Sequence, residues 1–221
     1  MINILFYGNC QFSAFGKWLS QFEHINVLNP ESYNIKTQYP WEKYVFFPDS
    51  LDTIEDISKP IEDADYFIFH DVVNVKYIKS LDIYNRSKCP NLCITNFYFE
   101  PFGHFKKGHK FNTVQDVEDA ANRDILELKR RDILQAKKYG KDYLSMTSYI
   151  ECNWKSKLLQ GGMGAHPTKL YYHELFKILC EDFLADARVT HADPIHTQYH
   201  PVLDERTIHK VRNLFPDMQI Q

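Results

Sequence analysis

The first two dozen residues constrain the fold more than any other stretch. Ile2, Ile4, Leu5 and Phe6 form a short apolar run of strand-favouring residues, and Gly8-Asn9 breaks it with the two residue types that turn a backbone most readily. Phe12, Phe15, Trp18, Leu19 and Phe22 then recur at three- and four-residue spacing, the apolar stripe of a helix over residues 11–23. A strand that turns straight into a helix predicts an α/β fold with a mostly parallel sheet flanked by helices. It also places Cys10 in the turn, at the helix N-terminus.

That placement has chemical consequences. First-turn N–H groups have no partner inside the helix and carry the positive end of its dipole, so a thiolate at Cys10 is expected to be stabilised and its pKa lowered. The amides of Cys10 and Gln11 are candidate donors to an oxyanion while the sulfur attacks a carbonyl. The arrangement follows the logic of a nucleophile elbow without its Gly-x-Ser-x-Gly spelling. The competing reading is a buried structural cysteine beside a tight turn.

Two later stretches stand beside it. His166-Pro167-Thr168 follows the glycine-rich Gln160–Ala165, and His200-Pro201-Val202 lies near the end. With Tyr7-Gly8-Asn9-Cys10-Gln11 after an N-terminal strand, these resemble the WcbI-like family of polysaccharide-biosynthesis acetyltransferases, itself similar to the SGNH hydrolases. The resemblance implies an SGNH- or flavodoxin-like sheet with a substantial helical C-terminal part and a nucleophile at the end of the first strand. It further implies coenzyme A or acetyl-CoA as acyl donor, a glycan hydroxyl as acceptor, and a place in capsule acetylation.

A chain of 221 residues is long enough for one sizeable core, and a single domain is expected. The net charge is −3 with acidic and basic residues interspersed, so neither nucleic acid nor an acidic membrane is obviously invited. The aromatic share of 15% suits either a thick core or a cleft that stacks sugar and adenine rings. No run approaches the length of a membrane span, and no basic segment precedes the first apolar run, so a cytoplasmic protein is expected. Cys10, Cys89, Cys93, Cys152 and Cys180 lack the paired spacings of a zinc site or a disulfide framework and read as reduced thiols.

Further along, residues 24–28 read as a short second strand, residues 44–47 are another apolar run stopped by Pro48, and Leu51, Ile54 and Ile57 mark a helix ending before Pro60. Asp65–Asp71 is a buried-strand run whose polar pair, His70-Asp71, falls at its C-terminal end, the edge where open α/β sheets bind ligands. His70 is a candidate site residue, and Asp71 reads as the cap of a helix carrying Val75, Ile78 and Leu81. The run Asn91–Tyr98 is another strand; Asn96, near its end, is positioned to add an oxyanion donor or simply to end the strand. Residues 105–110 form a basic loop in which Lys106 and Lys107 either meet coenzyme A phosphates or are ordinary solvated lysines. Gly8, Asn9, His70, Lys106 and Lys107 are the candidate cofactor contacts.

Val114 to Tyr139 predicts one long helix, acidic at its start, basic at its end and stopped by Gly140. Val117, Ala121, Ile125, Leu128 and Ile133 or Leu134 form its expected apolar side, and its basic residues either reach a coenzyme A 3′-phosphate or belong to an ordinary wet face. A shorter helix is expected over residues 144–154. Pro167 sits where a first helical residue belongs, which would make His166 an N-cap neighbour kept neutral by the dipole and able to accept a proton. In the tail, Asp193-Pro194-Ile195-His196 is an Asp-x-x-His pair like the one that supplies base and orienting carboxylate in SGNH enzymes. His191, Asp193, His196 and His200 are also metal-ligand types, but Pro194 and Pro201 prevent one regular helix from presenting His196 and His200 together, and no metal is assigned.

The candidate catalytic set is therefore Cys10, Gln11, Asn96 and one of His166 or His196. The expected activity is acyl transfer from a coenzyme A thioester to a sugar hydroxyl. The alternatives are a thiol esterase or deacetylase acting on an acylated glycan, and a non-catalytic coenzyme A- or sugar-binding module.

Overall fold

The structure is a computed structural model that describes residues 1–102, 111–161, 166–189 and 203–220, with the backbone but not the side chain of Trp41. The chain divides into two compact units. One comprises residues 1–96, 139–144 and 179–197, the other residues 97–138, 145–178 and 198–221. Gly8, Asn9, Cys10, Gln11, His70 and Asn96 belong to the first unit, and His166 to the second.

That unit is built on a parallel five-stranded sheet of β1 (Ile2–Tyr7), β2 (Ile25–Val27), β3 (Tyr66–Phe69), β4 (Asn91–Ile94) and β5 (Tyr143–Leu144), in the order β2-β1-β3-β4-β5. Parallel strands need crossovers, and α1 (Gln11–Leu19), α2 (Ile54–Asp63) and α3 (Ser80–Arg86) supply three of them. β1 is buried on both faces. Phe6 packs on Phe12 and Phe15 of α1, while Leu5 and Tyr7 join Phe67, Phe69, Ile57, Ile61 and Ile83 in a separate cluster. Two-sided burial explains why the strand reads as a continuous apolar run.

The second unit contains α4 (Val114–Tyr139, all but its last residue), α5 (Thr147–Asn153), α6 (Lys169–Ile178) and α7 (Glu205–Leu214). Val117, Ala121, Ile125 and Leu128 are the buried side of α4. Around Phe97, Phe99, Trp154, Tyr171 and Phe215, edge-to-face ring pairs 4.7–6.2 Å apart build its core. Much of the aromatic content is thus packing material. All five cysteines are outside disulfides, and no helix among the described residues is long and apolar enough to cross a membrane.

Several expected elements differ from those observed. The first helix ends at Leu19, because Gln21 and Phe22 donate to Trp18 and Leu19 in tight turns that release the chain into β2. The apolar run 44–47 makes one parallel bridge, Tyr7 to Phe46, between 3-10 turns that start at Pro40 and Pro48. α2 continues through Pro60, which forfeits one backbone bond but is buried alongside Ile57 and Ile61. No helix begins near Val75: Ser80 Oγ accepts from Val72 N–H and donates to the His70 carbonyl, and Tyr7 Oη donates to the Ile78 carbonyl, holding residues 71–79 as a loop. The two-residue β5 was not anticipated, since so short a run carries no periodicity.

Gly16 marks a close approach of α1 to the 3-10 turn Pro40–Tyr44: a Cβ there would fall 2.3 Å from Tyr44 Cβ. Helix propensity alone would favour alanine by about 1 kcal/mol, but overpacking a rigid contact costs about 1–3 kcal/mol. Gly16→Ala is therefore expected to lower the urea midpoint at unchanged m-value, and a raised midpoint would show that the contact yields.

Candidate functional site

In the order β2-β1-β3-β4-β5 the direction of winding reverses between β1 and β3, and ligands of such sheets bind in the crevice beyond the carboxyl ends of the strands at that reversal. The register pairs Tyr7 with Phe69, so the next residues at this edge are Gly8-Asn9-Cys10 from β1 and His70 from β3. Cys10, Asn9, Gly8 and His70 are brought to one place by backbone pairing alone. A groove lined by Ser58, Glu62, Arg86 and Cys89 lies instead beside residues that lead into β3 and β4, at the other end of the sheet.

The turn is held by the Asn9 side chain. Its Oδ1 accepts from Gln11 N–H at 3.0 Å, and its Nδ2 donates to Asn96 Oδ1 at 2.9 Å. One amide thereby locks the strand-to-helix turn and ties it to the segment after β4. This corrects the role expected of Gln11: its N–H is engaged by Asn9, and its side chain is buried. Asn96 comes to the predicted edge, where its Oδ1 accepts from Asn9.

Cys10 is half-buried at the head of α1, with αR backbone angles. Burial pushes its thiol up from the ordinary cysteine range, against the smaller opposing pull of its own backbone N–H. The expectation of a lowered pKa is therefore reversed: loss of solvent around the thiolate outweighs what the helix terminus returns. The sulfur is a protonated thiol at neutral pH.

His70 is almost wholly buried and lies flat on Phe12, with ring centroids 3.8 Å apart and planes inclined by 11°. Gly8, with φ of +155°, makes room for it: a Cβ on Gly8 would stand 2.7 Å from His70 Nδ1. That nitrogen is buried and has no hydrogen-bond partner among the described residues. Desolvation pulls the imidazole pKa down to about 3, so His70 is neutral across the physiological range. Asp71 does not cap a helix; it accepts a 2.5 Å hydrogen bond from Tyr139 Oη, and burial together with that bond raises the phenol.

His166 is half-buried, and its carbonyl accepts from Gly161 N–H at 2.7 Å. α6 begins at Lys169, and Pro167 instead bridges Gln160 in antiparallel fashion, so His166 is not a helix cap. Its pKa is lowered, as expected, but by burial rather than by a dipole. His196, Lys106 and Lys107, with His191, Asp193 and His200, lie outside the described residues, among which no cluster of three His, Cys, Asp or Glu could hold a metal.

Phe12, Ser80 and the locking role of Asn9 were missed in the sequence. Phe12 looked like any core residue of the α1 stripe, and Ser80 has no local signature. The Gly-Asn pair did carry a signal, since asparagine bonds the backbone two residues on in turns.

No protein-family model matches the chain, and no curated protein matches it. A solved structure similar to it is that of WcbI, a polysaccharide biosynthesis enzyme, as the native protein without a disulfide bond between coenzyme A and one of its cysteines. It shares 15% identity and a TM-score of 0.47, over 100% of this chain and 81% of that one.

The buried His70 makes stability pH-dependent. Its folded pKa lies below the unfolded value, so the unfolded chain binds the proton more tightly. Its contribution is fully present above the ordinary histidine pKa and falls by about 1.4 kcal/mol per pH unit below it, until the folded pKa of about 3 is reached. Urea midpoints measured from pH 7 to pH 4 are expected to fall more steeply for the native chain than for His70→Phe, which keeps the ring stack and removes the titration. Equal slopes would contradict a desolvated histidine.

Proposed function

We propose that this protein is an acyltransferase, moving an acetyl or similar acyl group from a coenzyme A thioester to a sugar hydroxyl in polysaccharide biosynthesis. The observation that carries the reading is the placement of a thiol, Cys10, at the sheet reversal between β1 and β3, with the Asn9–Asn96 amide pair linking it to the end of β4. The choice of coenzyme A and a glycan follows from the resemblance of Tyr7–Gln11 and the later His-Pro pairs to the WcbI-like family.

Cys10 is the nucleophile. Its proton passes to a histidine as sulfur bonds to the thioester carbonyl carbon, and coenzyme A leaves as the thiol carrying that proton; the acceptor hydroxyl oxygen then bonds to the acyl carbon, the bond to the Cys10 sulfur breaks, and the hydroxyl proton passes through the histidine back to that sulfur. Because the thiol is raised, proton removal has to accompany attack, and the histidine is essential rather than accessory. His166 and His196 are the two candidates for it. Asn96 supplies an oxyanion contact, and Gln11 serves through its part in the locked turn. Gly8, Asn9 and His70 shape the wall against which the donor lies, and Lys106 and Lys107 meet its phosphates.

The raised thiol also favours a second reading, in which Cys10 stays protonated and positions the thioester while the histidine activates the acceptor for direct transfer. Intact-protein mass spectrometry after incubation with acetyl-CoA separates the two. An acetyl adduct on the native chain and none on Cys10→Ala is expected; transfer without any adduct supports direct attack. Free acetate without acceptor acetylation would make the protein an esterase. Retention of coenzyme A without turnover would make it a binding module.

Two further outcomes are expected. Cys10→Ala lowers acyl transfer by about a thousandfold or more, the scale on which loss of a nucleophile is felt, with no comparable loss of thermal stability. Carboxamidomethylation of Cys10 by iodoacetamide, followed by peptide mapping, is still accelerating above the pH at which an ordinary cysteine has levelled off. A plateau already reached at pH 8 would show an activated thiolate.

A further inference from the structure

We infer that the solvent face of the C-terminal half of α4 docks onto an anionic lipid surface. The opposite side of this helix is committed, since Val117, Ala121, Ile125 and Leu128 are buried in the second unit. Facing solvent at spacings of three and four are Arg123, Leu126, Arg130, Ile133, Leu134 and Lys137, one continuous stripe. Leu126 is 52% exposed, Ile133 70% and Leu134 67%. Single exposed apolar side chains are ordinary; three on one stripe within three turns are a surface feature.

The stripe's charge identifies the occupant. Arg123, Arg130 and Lys137 have no ion-pair partner among the described residues. The acidic residues of the same stretch are used elsewhere: Glu127 pairs with Arg131 at 3.0 Å, Asp124 accepts from Glu100 N–H and Asp132 accepts from Ser145 Oγ. A second copy of the chain fits poorly. An antiparallel crossing at Arg130 would set that residue on itself and Arg123 on Lys137, and a parallel crossing would set every cation on its own equivalent. A phosphate-bearing headgroup layer over an acyl region accepts both components. The long stems of Arg and Lys reach up to the phosphates while Leu126, Ile133 and Leu134 enter the boundary below them. The chain's net charge of −3 does not oppose this, because attraction to a charged surface acts within about 10 Å and is set by the local patch.

Flotation of the full chain tests the inference, using vesicles of phosphatidylcholine alone and vesicles of phosphatidylcholine and phosphatidylglycerol in equal parts. Binding is expected to the second only and to weaken with added salt. I133Q/L134Q should weaken it about tenfold or more through lost apolar burial, and R130Q/K137Q by a similar factor, about fivefold per cation. Glutamine keeps helix propensity at these exposed positions, so far-UV spectra should match the native chain; if either variant misfolds, R123Q and L126Q make the same test singly. Absence of binding to the anionic vesicles, or equal binding by all variants, overturns the inference. So does a native dimer in sedimentation equilibrium that I133Q/L134Q dissolves, which would give the stripe to a second copy.

Discussion

The candidate site rests on the pairing of β1 with β3. Leu5, Phe6 and Tyr7 are hydrogen-bonded in register with Phe67, Ile68 and Phe69, and all six side chains are fully buried. Because each strand is buried on both faces, a slip of one residue would exchange its two sets of packed side chains. The pairing therefore dictates that the first residues beyond the sheet, Gly8 to Cys10 on one strand and His70 on the other, emerge side by side. At that point glycine is required twice over, by its backbone angle and by the imidazole against its Cα.

The electrostatics around that point are governed by water exclusion. A helix terminus contributes about 0.3–1 kcal/mol to a nearby charge at the surface, less than one pKa unit. Burial shifts ionisable groups by up to several units. α1 has only nine residues, and Cys10 at its head is half-buried, so there desolvation prevails. The same cause keeps His70 and His166 neutral. The neutral state demanded of a proton acceptor near pH 7 is met, while the Cys10 thiol is held above the ordinary cysteine range.

Charge distribution carries the same lesson on the molecular surface. A nearly balanced total says little about a single helix face. On α4 the acids are turned into hydrogen bonds and an ion pair along its flanks, leaving three unpaired cations among three exposed aliphatic side chains.

What was legible in the sequence is what periodicity and turn chemistry report locally. The strand Ile2–Tyr7, the turn that sets Cys10 at a helix head, the long helix Val114–Tyr139 and its arrest at Gly140, and the parallel α/β class can all be read along the chain, because neighbouring residues decide them. Contacts from distant segments decided the rest. Asn96, 87 residues from Asn9, completes the lock on the turn; Ser80 and Tyr7 suppress the helix expected near Val75; Phe12 and Gly8 enclose His70. Strand pairing joins residues with no mutual signature in sequence, and the pKa of a buried group depends on everything around it rather than on its place in a turn. The position of the thiol was thus written in the sequence, whereas the direction in which its pKa moves was decided by the tertiary structure that excludes water from it.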